Sequence, residues 1–119
     1  MSRYGKEIIE MLMNNLNNKA EIVTINVFGC NKEIMKYKCK VFSGEDFEKI
    51  NNDVANYADI LVIIEGGKNS GTLLLASNFV EKNKLVYCVP GRINDPNSYA
   101  CNWLISQGAI PVIDFCITL

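Results

Sequence analysis

ILVIIEGGKNSGTLLLA, residues 60–76, is the stretch whose reading decides the fold of this chain. Its first five residues are apolar and rich in β-branched side chains, the mark of a buried strand. Gly66, Gly67 and Gly71 then let the backbone turn tightly and come close to a ligand, and the Leu/Ala-rich run after them propagates as a helix. A strand that opens through glycines into a helix N-terminus gathers unpaired N–H groups and the positive end of the helix dipole, which suits a phosphate. The same glycines would also serve a tight turn and helix–sheet packing. The motif alone does not choose between the two readings.

Outward from this stretch the pattern alternates. Residues 3–17 carry Ile8, Ile9, Leu12 and Leu16 at helical spacing, and the Asn-rich segment after them ends that helix. Residues 22–28 read as a strand stopped by Gly29, and residues 37–42 alternate Lys with larger side chains, as in an exposed edge strand. Residues 43–46 open a helix that runs to about Tyr57, with Glu45 and Asp46 complementing its dipole. Residues 60–64 form a strand, 70–82 a helix and 85–89 a strand. Pro90-Gly91 then breaks the chain, 98–107 is helical, Gly108 stops it, and 110–113 form the last strand. Such alternation with short connections predicts an α/β, Rossmann-like three-layer sandwich. The strands at 22–28, 60–64, 85–89 and 110–113 are expected in one mainly parallel sheet with helices on both faces. Residues 1–119 read as a single domain.

Composition narrows the function. With 119 residues the chain can build a core without staples. Hydrophobic content of 49% and charged content of 21% are ordinary globular values. A net charge of -1 offers no global attraction to nucleic acid, so a polyanion site must be a local patch. No apolar run reaches membrane-spanning length, and charge interrupts the apolar residues of the N-terminus, so neither a membrane partner nor a signal peptide is expected. The cytoplasm is the expected compartment. Cys30, Cys39, Cys88, Cys101 and Cys116 show no CxxC spacing and there is no histidine, so no metal and no Ser-His or Cys-His nucleophile is expected. Cys88, inside an apolar run, reads as a small core residue.

Parallel α/β sheets bind ligands beyond the carboxyl ends of their strands. Three loops qualify, at residues 29–32, 65–70 and 90–97. The third carries Arg92, whose guanidinium is a good phosphate fork, while Asp95-Pro96 reads as turn chemistry.

Two long blocks, ADILVIIEGGKNSGTLLLA and VYCVPGRINDPNSYACNWLISQGA, resemble the DprA/Smf family of DNA-processing proteins. The resemblance rests on Glu65, Gly67, Ser70 and Gly71, on Val89, Pro90 and Gly91, and on Asn102, Leu104, Ile105, Gly108 and Ala109. It spans residues 58–112 in the right order and spacing. Weaker similarity reaches TINVFGCN (24–31) and RYGKE (3–7). The resemblance implies an extended Rossmann-like fold, single-stranded DNA bound in a positive pocket, dimerisation, and handover to a RecA-type recombinase. The chain also departs from the family. Where the family carries arginines this chain reads FEKINNDVANYADI, with Lys49 basic and Ile50 and Asn52 near the arginine positions. The family's first central strand has no counterpart here. The lost arginines argue against recombinase loading, because phosphate neutralisation supplies most non-specific affinity.

The lysine-decarboxylase-like phosphoribohydrolases (the LOG family) are related and share a Gly-Gly loop. Here Leu75 stands three residues after Thr72, where their motif places a glutamate, and the upstream Arg-Lys pair is not found. The acid/base candidate is therefore lost, and no catalytic residue is expected. The expected function is a non-enzymatic phosphate-ligand site, without a cofactor, made of Gly66, Gly67, Lys68, Asn69, Ser70, Gly71, Thr72, Gly91 and Arg92. Ser70 and Gly71 would supply N–H donors, Ser70 also its hydroxyl, Lys68 and Arg92 charge, and Asn69 a helix cap. Single-stranded DNA is the favoured ligand and a homodimer the favoured assembly. A nucleotide-binding sensor is the alternative, and a LOG-like nucleoside monophosphate phosphoribohydrolase a lesser one.

Overall fold

Every strand pairing in the computed structural model, which describes residues 3–26, 36–114 and 117, is parallel. Parallel neighbours need a crossover between them, and the element order supplies one each time within the second half of the chain. The elements are α1 (Arg3–Asn15), β1 (Ile22–Asn26), β2 (Cys39–Ser43), α2 (Phe47–Tyr57), β3 (Ile60–Ile63), α3 (Thr72–Glu81), β4 (Leu85–Cys88), α4 (Tyr99–Ser106) and β5 (Ile110–Pro111), with a 3-10 turn at Pro96–Ser98. The chain divides into two compact units, one of residues 1–54 and 115–118, the other of 55–114 and 119.

In the first unit β1 and β2 pair in register from Ile22 with Cys39 to Asn26 with Ser43, and the Ile22 amide extends the ladder to the Lys38 carbonyl at 2.8 Å. Ile8, Leu12 and Met13 on one face of α1 are buried, as are Ile50 and Val54 of α2, so helical spacing places the apolar stripe inward. α1 ends in left-handed Asn17 and Asn18, with the Asn18 amide reaching back to the Met13 carbonyl at 2.9 Å. At the start of α2 the Asp46 carboxylate accepts the Lys49 amide at 3.1 Å, a conventional N-cap. Lys36 Nζ pairs with Glu10 Oε1 at 3.0 Å, and that hydrogen bond holds the Lys36 ammonium above its usual pKa.

The second unit is a three-stranded sheet of order β3-β4-β5. α3 packs on β3 and β4, α4 packs on β4, and the two helices touch, so they share one face of this sheet. Ile63, Ala76, Phe79, Val86, Cys88, Val89, Ala100 and Cys101 form its buried core. Cys88 and Cys101 are both fully buried. The thiol hydrogen bond they share, and then burial, push the Cys88 thiol well above its usual pKa, so it stays protonated and behaves as a small apolar residue. α3 closes on left-handed Asn83 and α4 on Gly108, whose φ of 108° suits glycine.

One expectation is corrected, and one is met with shifted ends. Among the described residues the four strands expected in one sheet fall into two hydrogen-bonded ladders, with β1 bonded to β2 and β3 to β4. The segment expected as an edge strand at 37–42 forms at Cys39–Ser43, after a turn at 36–37. The expected β1 residues 27 and 28, the loop at 29–32, and Cys30 and Cys116 lie outside the described residues.

One side chain ties the start of the second unit together. Lys84 Nζ donates to the carbonyls of Ala55 (2.7 Å), Asn56 (3.0 Å) and Ala58 (2.7 Å), capping the negative end of α2 just before β3. Lys84→Met is expected to lower unfolding free energy by about 2 kcal/mol, because charge-assisted bonds to three carbonyls are lost together. Urea denaturation followed by far-ultraviolet circular dichroism measures it.

Candidate functional site

The loops after β3 and β4 meet at the carboxyl ends of their strands, and backbone bonds hold them there. The Gly66 amide donates to the Asn97 carbonyl at 2.8 Å, and the Ala100 amide donates to the Gly66 carbonyl at 3.0 Å. The loop after β3 is thereby stitched to the start of α4. A second clamp acts on the loop after β4. Asn102 Oδ1 accepts the Gly91 amide at 3.1 Å, and Asn102 Nδ2 donates to the Gly91 carbonyl at 3.0 Å. One side-chain amide thus satisfies both backbone groups of Gly91, and Arg92 follows directly. Asp95 Oδ1 accepts the Asn97 amide at 2.9 Å, so this carboxylate is turn chemistry as the sequence suggests.

The four glycines of the site separate into two kinds. A Cβ on Gly91 would lie 2.7 Å from Ser98 Cβ, and one on Gly66 would lie 3.1 Å from Ala100 Cβ and 3.0 Å from Ser70 Oγ. These two positions are glycine because neighbouring atoms fill the space. At Gly71 a Cβ would meet nothing, and at Gly67 only the Pro96 carbonyl at an ordinary 3.9 Å. Gly71 has φ -62° and ψ -12°, which any residue adopts. Neither packing nor, at Gly71, backbone geometry requires glycine there.

The amides of the first loop are similarly divided. The Ser70 amide points to the Gly67 carbonyl at 3.3 Å, and Ser70 Oγ accepts the Thr72 amide at 3.3 Å. The amides of Gly67, Lys68, Asn69 and Gly71 have no protein partner among the described residues. The expected role of the Ser70 amide is therefore corrected: it is spent within the loop. The Gly91 amide is likewise spent on Asn102. The expected Asn69 cap is also corrected, since Gly71 occupies the N-cap of α3 without a side-chain bond and Ser70 Oγ takes the Thr72 amide instead. Lys68 is exposed, with its Nζ 5.9 Å from the Tyr99 ring centroid, and Arg92 is exposed on its loop. Leu75, at the position where a phosphoribohydrolase glutamate would stand, is a half-buried apolar residue of α3. Among the described residues no group of three or more histidine, cysteine or acidic side chains could hold a metal. Sequence reasoning placed Asn102 only by its family position and did not single out Tyr99.

Parallel strands that feed glycine-rich loops into helices define a Rossmann-like α/β protein with its candidate site at the strand ends. Residues 37–116 match the family model of DNA recombination-mediator protein A, and the chain belongs to this family. Protein Smf of Escherichia coli (strain K12) is 32% identical over 69 residues, which is 58% of this chain and 18% of that protein. DNA processing protein A (DprA) of Streptococcus pneumoniae shares the fold at a TM-score of 0.77 and 20% identity, over 97% of this chain and 56% of that one. DNA processing protein A of Helicobacter pylori, whose structure concerns a single-stranded DNA binding mode, shares it at 0.72 and 18%, over 97% and 72%. The chain thus spans a small part of the Smf protein and about half of the pneumococcal one. No helix among the described residues is long and apolar enough to cross a membrane.

The two kinds of glycine should respond differently to a methyl group. Gly91→Ala is expected to destabilise the fold by about 1–3 kcal/mol, as overpacking does. Gly71→Ala should stay within about 1 kcal/mol of the wild type. Asn102→Leu, which strands both Gly91 groups, should cost about 1–3 kcal/mol. Thermal unfolding of the three variants, compared side by side, checks the sorting.

Proposed function

We propose that this chain is a non-enzymatic phosphate-binding domain of the DNA-processing type that holds single-stranded DNA at the loops 66–72 and 91–92. One observation carries the reading. Gly67 and Gly71 are glycines that packing does not demand, and they sit in a loop with amides left unpartnered. A bare backbone with free N–H groups at the start of α3 suits the close approach of a phosphate oxygen. Lys68 beside these amides, with Arg92 after the clamped Gly91, supplies positive charge. The single-stranded DNA binding mode of the Helicobacter pylori relative favours single-stranded DNA as the polyanion. Leu75 in place of a carboxylate supports a binding role without catalysis.

Fluorescence anisotropy with labelled oligothymidylates tests this. Affinity should rise with oligonucleotide length and fall with salt, with a log–log slope of about -1 to -2 for two neutralised phosphates. Lys68→Ala and Arg92→Ala should each weaken binding about two- to fivefold, more at low salt. Gly71→Val, which the open space around Gly71 lets the fold accept, should abolish binding by blocking the backbone. Affinity for thymidine monophosphate equal to that for the oligonucleotides would favour the nucleotide sensor. No binding of oligonucleotide, nucleotide or inorganic phosphate at millimolar concentration would overturn the reading.

A homodimer would suit the same role. β5 has two residues and closes the β3-β4-β5 order, and Trp103, Ile110 and Ile113 nearby in sequence are exposed apolar residues. A homodimer built on this surface is expected to appear in light scattering, and Trp103→Glu should shift it to monomer. A monomer at high wild-type concentration would refute it.

A further inference from the structure

We infer that Tyr99 is a stacking platform for one base of the single strand whose phosphate lies in the adjoining Gly67–Gly71 loop. The inference rests on the phosphate-loop reading above and adds to it a base contact. Three observations lead there. Tyr99 is the first residue of α4, yet the residue is 41% exposed, so the core does not account for it. Lys68 Nζ lies 5.9 Å from the ring centroid, which places the cation of the phosphate loop against this aromatic face. The backbone that carries the ring is held beside the loop, because the flanking Asn97 carbonyl and Ala100 amide are both bonded to Gly66.

Unpartnered amides, a cation and an exposed aromatic side chain therefore occur together where two segments are joined by backbone bonds. That is the chemistry that recognises a single-stranded nucleic acid, where charge tracks the backbone and an aromatic ring takes a base without regard to its identity. A partner protein with an acidic patch would be satisfied by Lys68 and Arg92 alone and would leave Tyr99 unused. The contact between Lys68 and Tyr99 becomes an exchange on binding. The ammonium leaves the ring to pair with a phosphate oxygen, and the base takes the face that it vacates. A cation on an exposed ring is held weakly, so its release costs less than the stacking contributes.

The test compares wild type, Tyr99→Phe and Tyr99→Leu, binding an oligothymidylate and an abasic oligonucleotide of the same length. The abasic strand carries the same phosphates and no bases. Tyr99→Leu is expected to weaken oligothymidylate binding about five- to hundredfold, the range of one lost base–aromatic stack. Tyr99→Phe, which keeps the ring, should bind within about twofold of wild type, and the abasic strand should bind wild type and Tyr99→Leu alike. Equal oligothymidylate affinities for wild type and Tyr99→Leu would overturn the inference. So would an equal loss for the abasic strand, which would mean that the ring acts through the loop and not on a base. Failure of both strands to bind wild type would overturn the phosphate-loop reading itself. The phenylalanine variant guards against misfolding, since it keeps the ring and removes only the hydroxyl.

Discussion

Everything at the candidate site depends on the two backbone hydrogen bonds of Gly66. Its amide and carbonyl engage Asn97 and Ala100, residues that lie beyond the next strand in sequence. Each bond is worth only about 1 kcal/mol net, yet together they convert two separate loops into one surface. The stitch also dictates residue size. Gly66 and Ala100 must both be small, because a Cβ at 66 would stand 3.1 Å from that of Ala100. Small residues here allow the end of β3 and the start of α4 to touch. The loop between Gly67 and Gly71 then projects from a fixed base.

The charge on this surface is modest. Lys68 and Arg92 stand against Glu65 and Asp95 in a chain of net charge -1, and Asp95 accepts the Asn97 amide. A site of two cations holds a polyanion weakly, in contrast to a site lined with arginines. Weak sites gain most from being doubled, since a second copy on the same strand binds as an intramolecular event.

The elements with strong local signals were legible in the sequence. The apolar run before Gly66, the Asp95-Pro96 turn and the Gly108 stop each follow from a residue's own chemistry, and the structure has them at those places. What was not legible depends on contacts between segments distant in sequence. Residues 37–42 alternate as an edge strand would, but pairing with β1 sets the strand at Cys39–Ser43. Nothing in the letters distinguishes Gly91, pressed against Ser98, from Gly71, which faces open space. Ser70 reads as a ligand donor until its amide is found on Gly67. Asn69 sits where a cap is plausible, yet Ser70 reaches the Thr72 amide first. Tyr99 carries no local signal at all, because its place beside Lys68 is set by the Gly66 stitch.

The Asn102 clamp has a chemical lifetime. Its function needs both halves of a carboxamide, an oxygen facing the Gly91 amide and a nitrogen facing the Gly91 carbonyl. Hydrolysis of that amide to a carboxylate, the slow ageing reaction of asparagine, would keep the acceptor and remove both donor hydrogens. A carboxylate oxygen would then face a carbonyl oxygen where a hydrogen bond had been, and the strand end beneath Arg92 would be pushed open. The loop that presents Arg92 thus depends on a side chain that must donate and accept at once, a demand that a carboxylate of the same size cannot meet.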